Sequence, residues 1–366
     1  MTFLPSGIVA AAVLQSWVLA GMLVLHAPNT AANRTLAGTL LVTGGVLITY
    51  SLGWTGRAEV SPWLAFLPVN LSLALGPLVY AYVVGLTSGA PPRQLSLHLA
   101  PAGAQLLYLL VLSLSTDPLR HVWKEEVHDD WVKPAIEGAV LLSMLAYGIA
   151  SLRLLRRYRS WLSRERSDAD QFAAHWVGHV VLALLVTLAI LAALRLYTWW
   201  VGELETGPLF LWLAGWGAWF GVEGWRHAFR RFPSMLPAHA VVAVTSNDWA
   251  ASGKEWRDRI EAGGWWRQPS LTLADTARRL GTNTAYLSRA LNEGLGLNFN
   301  ELVNAMRAAE AARLIDTSAG GDLLDIAYEV GFSSKATFNR AFRARHGCSP
   351  SAYRARLRSE KIDAIE

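Results

Sequence analysis

The chain has 366 residues, 52% of them hydrophobic and only 17% charged, and its mean hydropathy is positive. Such a composition excludes an ordinary soluble domain of this size and points to membrane spans. The formal charge of +5 lies wholly in residues 226–366, which hold 20 Lys/Arg against 15 Asp/Glu, whereas residues 1–225 hold 13 of each. A basic terminal third suggests a polyanionic partner, nucleic acid or lipid headgroups. Cys348 is the one cysteine, which excludes an internal disulfide and a cysteine-based zinc site.

The first stretch, "MTFLPSGIVAAAVLQSWVLAGMLVLH", has no Lys or Arg ahead of its apolar run. It reads as a retained span and not as a cleaved secretory signal. A helix needs about 20 apolar residues to cross the hydrocarbon core. Seven runs qualify: Gly7–His26, Leu36–Trp54, Pro62–Leu86, Leu95–Ser115, Pro134–Leu155, Trp176–Tyr197 and Pro208–Trp225. Pro68 and Pro77 remove backbone donors from the third and are expected to kink it.

Loop charge sets the expected orientation, because Lys and Arg are retained on the cytoplasmic side. With the N-terminus outside, eleven basic residues face the cytoplasm, six of them between Arg153 and Arg166. Four face outward: Arg57, Arg120, Lys124 and Lys133; the last outer loop, "WWVGELETG", has none. Seven spans then place the C-terminus in the cytoplasm. Trp54, Trp63, Trp123, Trp131, Trp199 and Trp200 gather at the expected outer boundary, as an interfacial belt of indoles would.

Polar residues within the spans are Asn70, Gln105, Glu137, His179, Arg195 and Glu223. Those near a boundary, Arg195 among them, are expected to snorkel to water. Asn70 and His179 lie deeper and are expected to hydrogen-bond between helices. In the outer loop "TDPLRHVWKEEVHDDWVK", His121, Glu125 and His128 fall at helical spacing. A metal site is one reading and a solvated, mixed-charge interfacial helix the other.

Arg226, Arg230 and Arg231 follow the last run, and Pro233 and Pro237 discourage a helix from continuing. Asp248 to Ala262 is expected to form one helix ended by Gly263 and Gly264. No sustained heptad supports a dimer contact there. From Ser270 the pattern becomes regular. "LTLADTARRLGTNTAYLSRALNEG" predicts a helix over Thr272–Leu280, a turn at Gly281 and a second helix over Thr284–Glu293. "NFNELVNAMRAAEAARLID" follows as a helix about 28 Å long. "LLDIAYEVGFSSKATFNRAF" then repeats the first unit, with Asp275, Ala277 and Gly281 recurring fifty positions on as Asp325, Ala327 and Gly331. Two such units could present recognition helices to major-groove segments about 34 Å apart.

Leu287 and Leu291 must face the core, leaving Thr284, Ala285, Ser288, Arg289 and Asn292 outward. Phe338 and Phe342 likewise leave Lys335, Ala336, Asn339, Arg340 and Arg343 outward. Arginine can contact guanine through two donors, and Asn and Ser can bond to bases or phosphates. Lys335 to Arg358 contains seven basic residues and no acidic one, which suits phosphate neutralisation.

Residues 270–357 resemble the AraC-type DNA-binding domain. "DIAYEVGFSSKATFNRAFRARHGCSPSAYR" follows its second half, and "YLSRALNEGLG", Phe299, Arg307, Ala311 and Leu314 follow the first. The resemblance implies an all-helical domain with two helix-turn-helix units that activates or represses transcription. It also implies base reading by Ala285, Ser288, Arg289, Lys335, Ala336, Thr337 and Arg340; Thr337 joins the set on that ground alone. "LGPLVYAYVVGLT" and the stretch from Ser270 look like a bacterial subset with multispan N-terminal regions.

The expected fold is all-α: a seven-helix transmembrane bundle followed by an all-helical DNA-binding domain with two helix-turn-helix units. The expected divisions are a sensor domain (1–225), a linker (226–269), the DNA-binding domain (270–358) and a tail (359–366). The expected role is that of a one-component regulator in the bacterial inner membrane, not an enzyme and without a cofactor. Its partners would be double-stranded DNA, membrane lipid, an unidentified small-molecule or membrane signal, a second copy in a homodimer, and RNA polymerase if it activates. Two rival readings are a receptor whose terminal helices bind a protein, and an intramembrane enzyme or carrier with a regulatory tail. No catalytic constellation supports the second.

Overall fold

The computed structural model describes residues 3–28, 30–54, 62–201, 207–235, 248–317 and 321–363. Arg57, Pro237 and residues 202–206 lie outside the described residues, as do the side chains of Trp54, Arg195, Trp199 and Trp200. The described residues form helices and loops, with no strand beyond an isolated bridge between Arg166 and Thr272. The chain divides into two compact units, residues 1–156 with 174–235, and residues 157–173 with 236–366.

The first unit contains α1 (Phe3–Leu25), α2 (Ala31–Trp54), α3 (Leu75–Ser88), α4 (Leu95–Leu114), α5 (Asp117–Trp123), most of α6 (Lys133–Glu165), α7 (His175–Val201) and α8 (Gly207–His227). Among the described residues, five stretches are long and apolar enough to cross a membrane: Gly7–Leu25, Ala31–Thr49, Leu95–Leu114, Asp117–Glu165 and His175–Leu194. Ser72–Ser88 is a shorter apolar helix. The core is built from side chains such as Leu36, Leu40, Val83, Val177, Val180 and Phe220. Thr35, Thr39 and Thr43, all buried on α2, donate to the carbonyls four residues back at 2.8–2.9 Å. The hydroxyls thereby satisfy themselves without leaving an apolar setting.

The third apolar run is not one kinked helix. A 3-10 turn covers Pro62–Phe66, the chain leaves helical conformation at 67–71, and a second 3-10 turn at Ser72–Ala74 leads into α3. Pro68 stands in the break, where its missing donor removes nothing. Pro77 falls in the first turn of α3, where a helix has no use for the amide hydrogen. Gln105 of α4 serves the broken backbone: its Oε1 accepts from the Leu73 amide (3.1 Å) and its Nε2 donates to Ser72 Oγ (3.1 Å). Gln105 is therefore buried and bonded, and does not reach out to water. Asn70, expected to bond between helices, has its Oδ1 buried without a hydrogen-bond partner, and His179 is exposed.

The segment 116–133 also departs from expectation. α5 passes through a π-helical stretch, Lys124–Val132, into α6. Of the three side chains that regular spacing would align, two stay together and His128 turns elsewhere, along the wider π-helical turn. His121 lies 3.3 Å from Glu125, but His128 meets the Tyr108 hydroxyl at 2.8 Å and packs its ring against Phe66. Among the described residues no three His, Cys, Asp or Glu gather as metal ligands. Arg120, read above as loop charge, is buried. It donates to the carbonyls of Leu112 (3.0 Å), Ser113 (3.2 Å) and Ser115, closing the orphan acceptors at the end of α4.

Among the described residues, the second unit contains the last turns of α6, the segment to Ala173, and seven further α-helices. These are α9 (Trp249–Ala262), α10 (Leu273–Leu280), α11 (Thr284–Arg289), α12 (Phe299–Thr317), α13 (Leu323–Glu329), α14 (Lys335–His346) and α15 (Pro350–Asp363). Asp248 caps α9, Thr272 caps α10, Asn283 caps α11, Asp322 caps α13 and Ser334 caps α14, each accepting from a first-turn amide. Leu273, Ala277, Leu287, Leu291, Phe338 and Phe342 join one core with residues of α12.

Arg307 of α12 is only 1% exposed. Its guanidinium donates to Trp266 O (2.7 Å), Gln268 O (2.7 Å) and Ser167 Oγ (3.1 Å), with Asn304 Oδ1 at 3.3 Å. Burial pulls its pKa down to about 10, against the raising influence of the Asp168 carboxylate, so the group keeps its charge at neutral pH. Ser167 is itself bound, its amide and hydroxyl both donating to Leu271 O at 3.2 and 2.9 Å. A residue from the segment joining α6 to α7 thus belongs to the core of this unit.

Replacing Arg307 with Met is expected to leave three acceptors dry and to cost the unit about 2–4 kcal/mol, measured as lost hydrogen-exchange protection of the α12 amides in the full chain. Gly281 and Gly331 offer a paired test, since both have positive φ (72° and 92°). A Cβ at Gly281 would meet nothing within 4 Å, whereas one at Gly331 would lie 2.3 Å from Arg267 O. Gly281→Ala should cost about 1 kcal/mol and Gly331→Ala about 3 kcal/mol, and equal losses by the same exchange measurement would contradict this geometry.

Candidate nucleic-acid interface

α14 owes its two faces to residue spacing. Phe338 and Phe342, four apart, are 2% and 0% exposed. Their rings meet each other, Phe332 and Tyr353 at centroid separations of 5.3–5.6 Å. Locking these aromatics inward turns Lys335, Ala336, Arg340 and Arg343 to solvent and leaves Asn339 half-buried. α11 is arranged alike, with Leu287 fully buried, Thr284 exposed, and Ala285, Ser288 and Arg289 half-buried. Asn292 is exposed on the π-helical continuation, Ala290–Gly294, where it donates to Ser288 O (2.8 Å) and Ser288 Oγ (3.1 Å).

Of the eleven residues expected to face a duplex, Thr337 is the exception. It is 6% exposed, its amide is capped by Ser334 Oγ (3.2 Å), and its hydroxyl donates to Asp170 Oδ2 (2.8 Å). Arg340 forms an ion pair with the same carboxylate oxygen. Arg289 is held by its own neighbourhood: Nε donates to Glu293 Oε1 (3.1 Å), and the guanidinium lies 5.0 Å from the Trp249 ring centroid.

Trp249, Glu293 and Asp170 were not singled out in the sequence. A Glu four residues after Arg289 is a legible helical pair. Trp249 comes from α9, read only as a connector helix. That helix packs on the Ala290–Gly294 stretch through two glycines, since a Cβ at Gly253 would meet Ala290 O at 2.5 Å and one at Gly294 would meet Trp249 O. Asp170 lies 170 positions before Arg340 along the chain, and no local pattern announces it.

A helix-turn-helix domain model matches residues 276–356. Residues 276–356 are an AraC-type helix-turn-helix domain. Over 84 residues the chain is 33% identical to the HTH-type transcriptional activator AarP of Providencia stuartii, covering 23% of this chain and 62% of that protein. It is 32% identical over 96 residues to the uncharacterized HTH-type transcriptional regulator YfiF of Bacillus subtilis, covering 26% and 30% respectively. Against an uncharacterized HTH-type transcriptional regulator of Staphylococcus aureus the identity is 34% over 84 residues, 23% of this chain and 11% of that one. The chain therefore spans about a tenth of the Staphylococcus relative's length and under two thirds of AarP. A solved structure, the C-terminal domain of AraT, a response regulator from Geobacillus stearothermophilus, is similar at 29% identity over 30% of this chain and 88% of that one, with a TM-score of 0.26. The AraC-type match contains α11 through α14, and therefore Arg289 and Arg340; α9 and Asp170 fall outside it.

In the full chain, Glu293→Ala is expected to free Arg289 from its in-helix partner and to speed its labelling by phenylglyoxal, by about two- to threefold for an exposed pair of this kind. Unchanged labelling, read by mass spectrometry, would mean that Glu293 does not hold it.

Proposed function

We propose that this chain is a one-component transcriptional regulator embedded in the bacterial inner membrane. Residues 1–225 form a seven-span sensor, 226–269 a cytoplasmic linker, 270–358 a DNA-binding domain with two helix-turn-helix units, and 359–366 a tail. The N-terminus is outside and the DNA-binding domain lies in the cytoplasm. The observation that carries the DNA reading is the recurrence, within an AraC-type domain, of a positive-φ glycine followed by a helix with an apolar face locked inward and an arginine, Arg289 or Arg340, on its other side. Arg289 and Arg340 read bases, joined by Ala285, Ser288, Lys335, Ala336 and Thr337. Thr284, Asn292, Asn339 and Arg343 bind phosphates or base edges.

The membrane reading rests on what the first unit turns outward. Leu14, Leu107, Val111, Leu142, Leu182 and Val186 are 47–70% exposed on helices otherwise rich in apolar residues. In water each such side chain forgoes about 1–2 kcal/mol of burial, whereas hydrocarbon accepts it. Trp63, Trp123 and Trp131 are exposed as well, as an interfacial belt requires. A signal in the bilayer or at its outer face shifts this unit between arrangements, and operator occupancy follows.

Chromatin capture of the intact protein tests the DNA reading. Operators recovered with the wild type should be lost with Arg289→Ala/Arg340→Ala, each substitution costing about 1–3 kcal/mol, and Arg343→Ala, which removes a phosphate contact, should instead weaken all sequences alike and lower the salt slope by about one. Identical recovery from wild type and double variant would contradict it. Orientation is tested separately: a reporter fused after Glu366 should be active only in the cytoplasm, and activity in the periplasm would reverse the topology.

A further inference from the structure

The segment between α6 and α7 has two parts with different holds on the second unit. Its root is firm. Ser167 is 1% exposed and Asp168 5%. Ser167 bonds to Leu271 O and receives Arg307, Arg166 bridges to Thr272, and Arg166 clasps Asp168 through Nε (2.7 Å) and Nη2 (2.9 Å). Its tip, Ala169–Phe172, is a single 3-10 turn laid against the start of α14. There Asp170 accepts from the Thr337 hydroxyl and pairs with Arg340, and Gln171 Nε2 donates to Ser333 O at 3.3 Å.

We infer that this tip is a competitor for DNA: the Asp170 carboxylate occupies the Arg340 guanidinium and the Thr337 hydroxyl, and must be withdrawn before the face of α14 can meet a duplex. The inference rests on the reading of α14 as a DNA-contacting helix. A carboxylate offers arginine acceptors, as a guanine edge does, with a full negative charge besides, so Asp170 and a base are mutually exclusive occupants of Arg340. The latch is weak by construction. The Arg340 and Asp170 side chains remain 62% and 36% exposed, and water competes for both. A weak latch on a strong root is a switch that modest force can open without dismantling the core. The chain supplies a means: the segment is joined directly to α6 on one side and α7 on the other, each with a stretch long and apolar enough to cross a membrane. A change in either helix is transmitted covalently to the tip. Linkage makes the effect reciprocal, so DNA on α14 also favours the released tip.

The test uses the full chain in lipid nanodiscs, with DNA fragments recovered by chromatin capture of the wild type as probe. Asp170→Asn keeps the shape and removes the charge; Asp170→Ala removes both. Both variants should bind the fragments about two- to fivefold more tightly than wild type, the range set by one partly exposed ion pair. Without DNA, Arg340 should be labelled faster by phenylglyoxal in both variants, read by mass spectrometry. Unchanged labelling overturns the inference whether or not DNA binds, as does faster labelling with no gain in affinity. A gain that persists undiminished in an Arg340→Ala background, measured at low salt where phosphate contacts keep binding in range, also overturns it, since Asp170 would then act only as a repelling charge. If no variant retains DNA while Arg340 labelling still responds, the DNA reading of α14 fails, and the role given to the latch fails with it.

Discussion

Arg307 carries a full charge into a place with almost no access to water, and the second unit is organised around keeping it there. Burying an unpaired guanidinium is prohibitive, so its donors must be met by fixed acceptors. Two are backbone carbonyls, at Trp266 and Gln268, and one is the Ser167 hydroxyl. The charge therefore holds together three parts of the chain that the hydrophobic effect alone would leave free to slide: α12, the turn before α10, and the segment between α6 and α7. Hydrophobic contacts supply most of the cohesion and the arginine supplies the register.

The two solvent-facing helices of the AraC-type domain show how similar local patterns acquire different surroundings. In α11 the arginine is answered within its own helix and by Trp249, so its environment is set by residues nearby in sequence or just upstream. In α14 the arginine is answered by Asp170, from a segment far away along the chain. Both helices owe their outward faces to residues locked into the core at four-residue spacing. What differs is what else reaches that face.

The first unit follows another economy. Much of its outward surface is apolar, while threonines return to their own helix and Gln105 serves the broken backbone at Ser72–Leu73; the buried Asn70 Oδ1 is an exception. Asn33 donates to Pro28 O (2.8 Å) and Ala228 O (3.0 Å), tying the start of α2 to the end of α8. Irregular backbone is tolerable in such a setting only where another group of the protein completes its hydrogen bonds.

Much of this was legible in the residues themselves. Helices, caps and glycine turns depend on neighbours within four or five positions, and the pattern from Thr272 to Ser349 displays all of them; the helices α10 to α14 lie where that pattern places them. The inward and outward faces of α11 and α14 were readable for the same reason. Other features required the folded chain. The break in the third apolar run depends on a glutamine from the next helix, the dispersal of His121 and His128 on one π-helical stretch, and the burial of Thr337 on a carboxylate 167 positions away. Period and propensity describe a chain's relation to itself over one or two turns. Which distant segment arrives to complete a hydrogen bond or cover a cation is decided only when the core closes, because that choice is made by burial and charge in three dimensions.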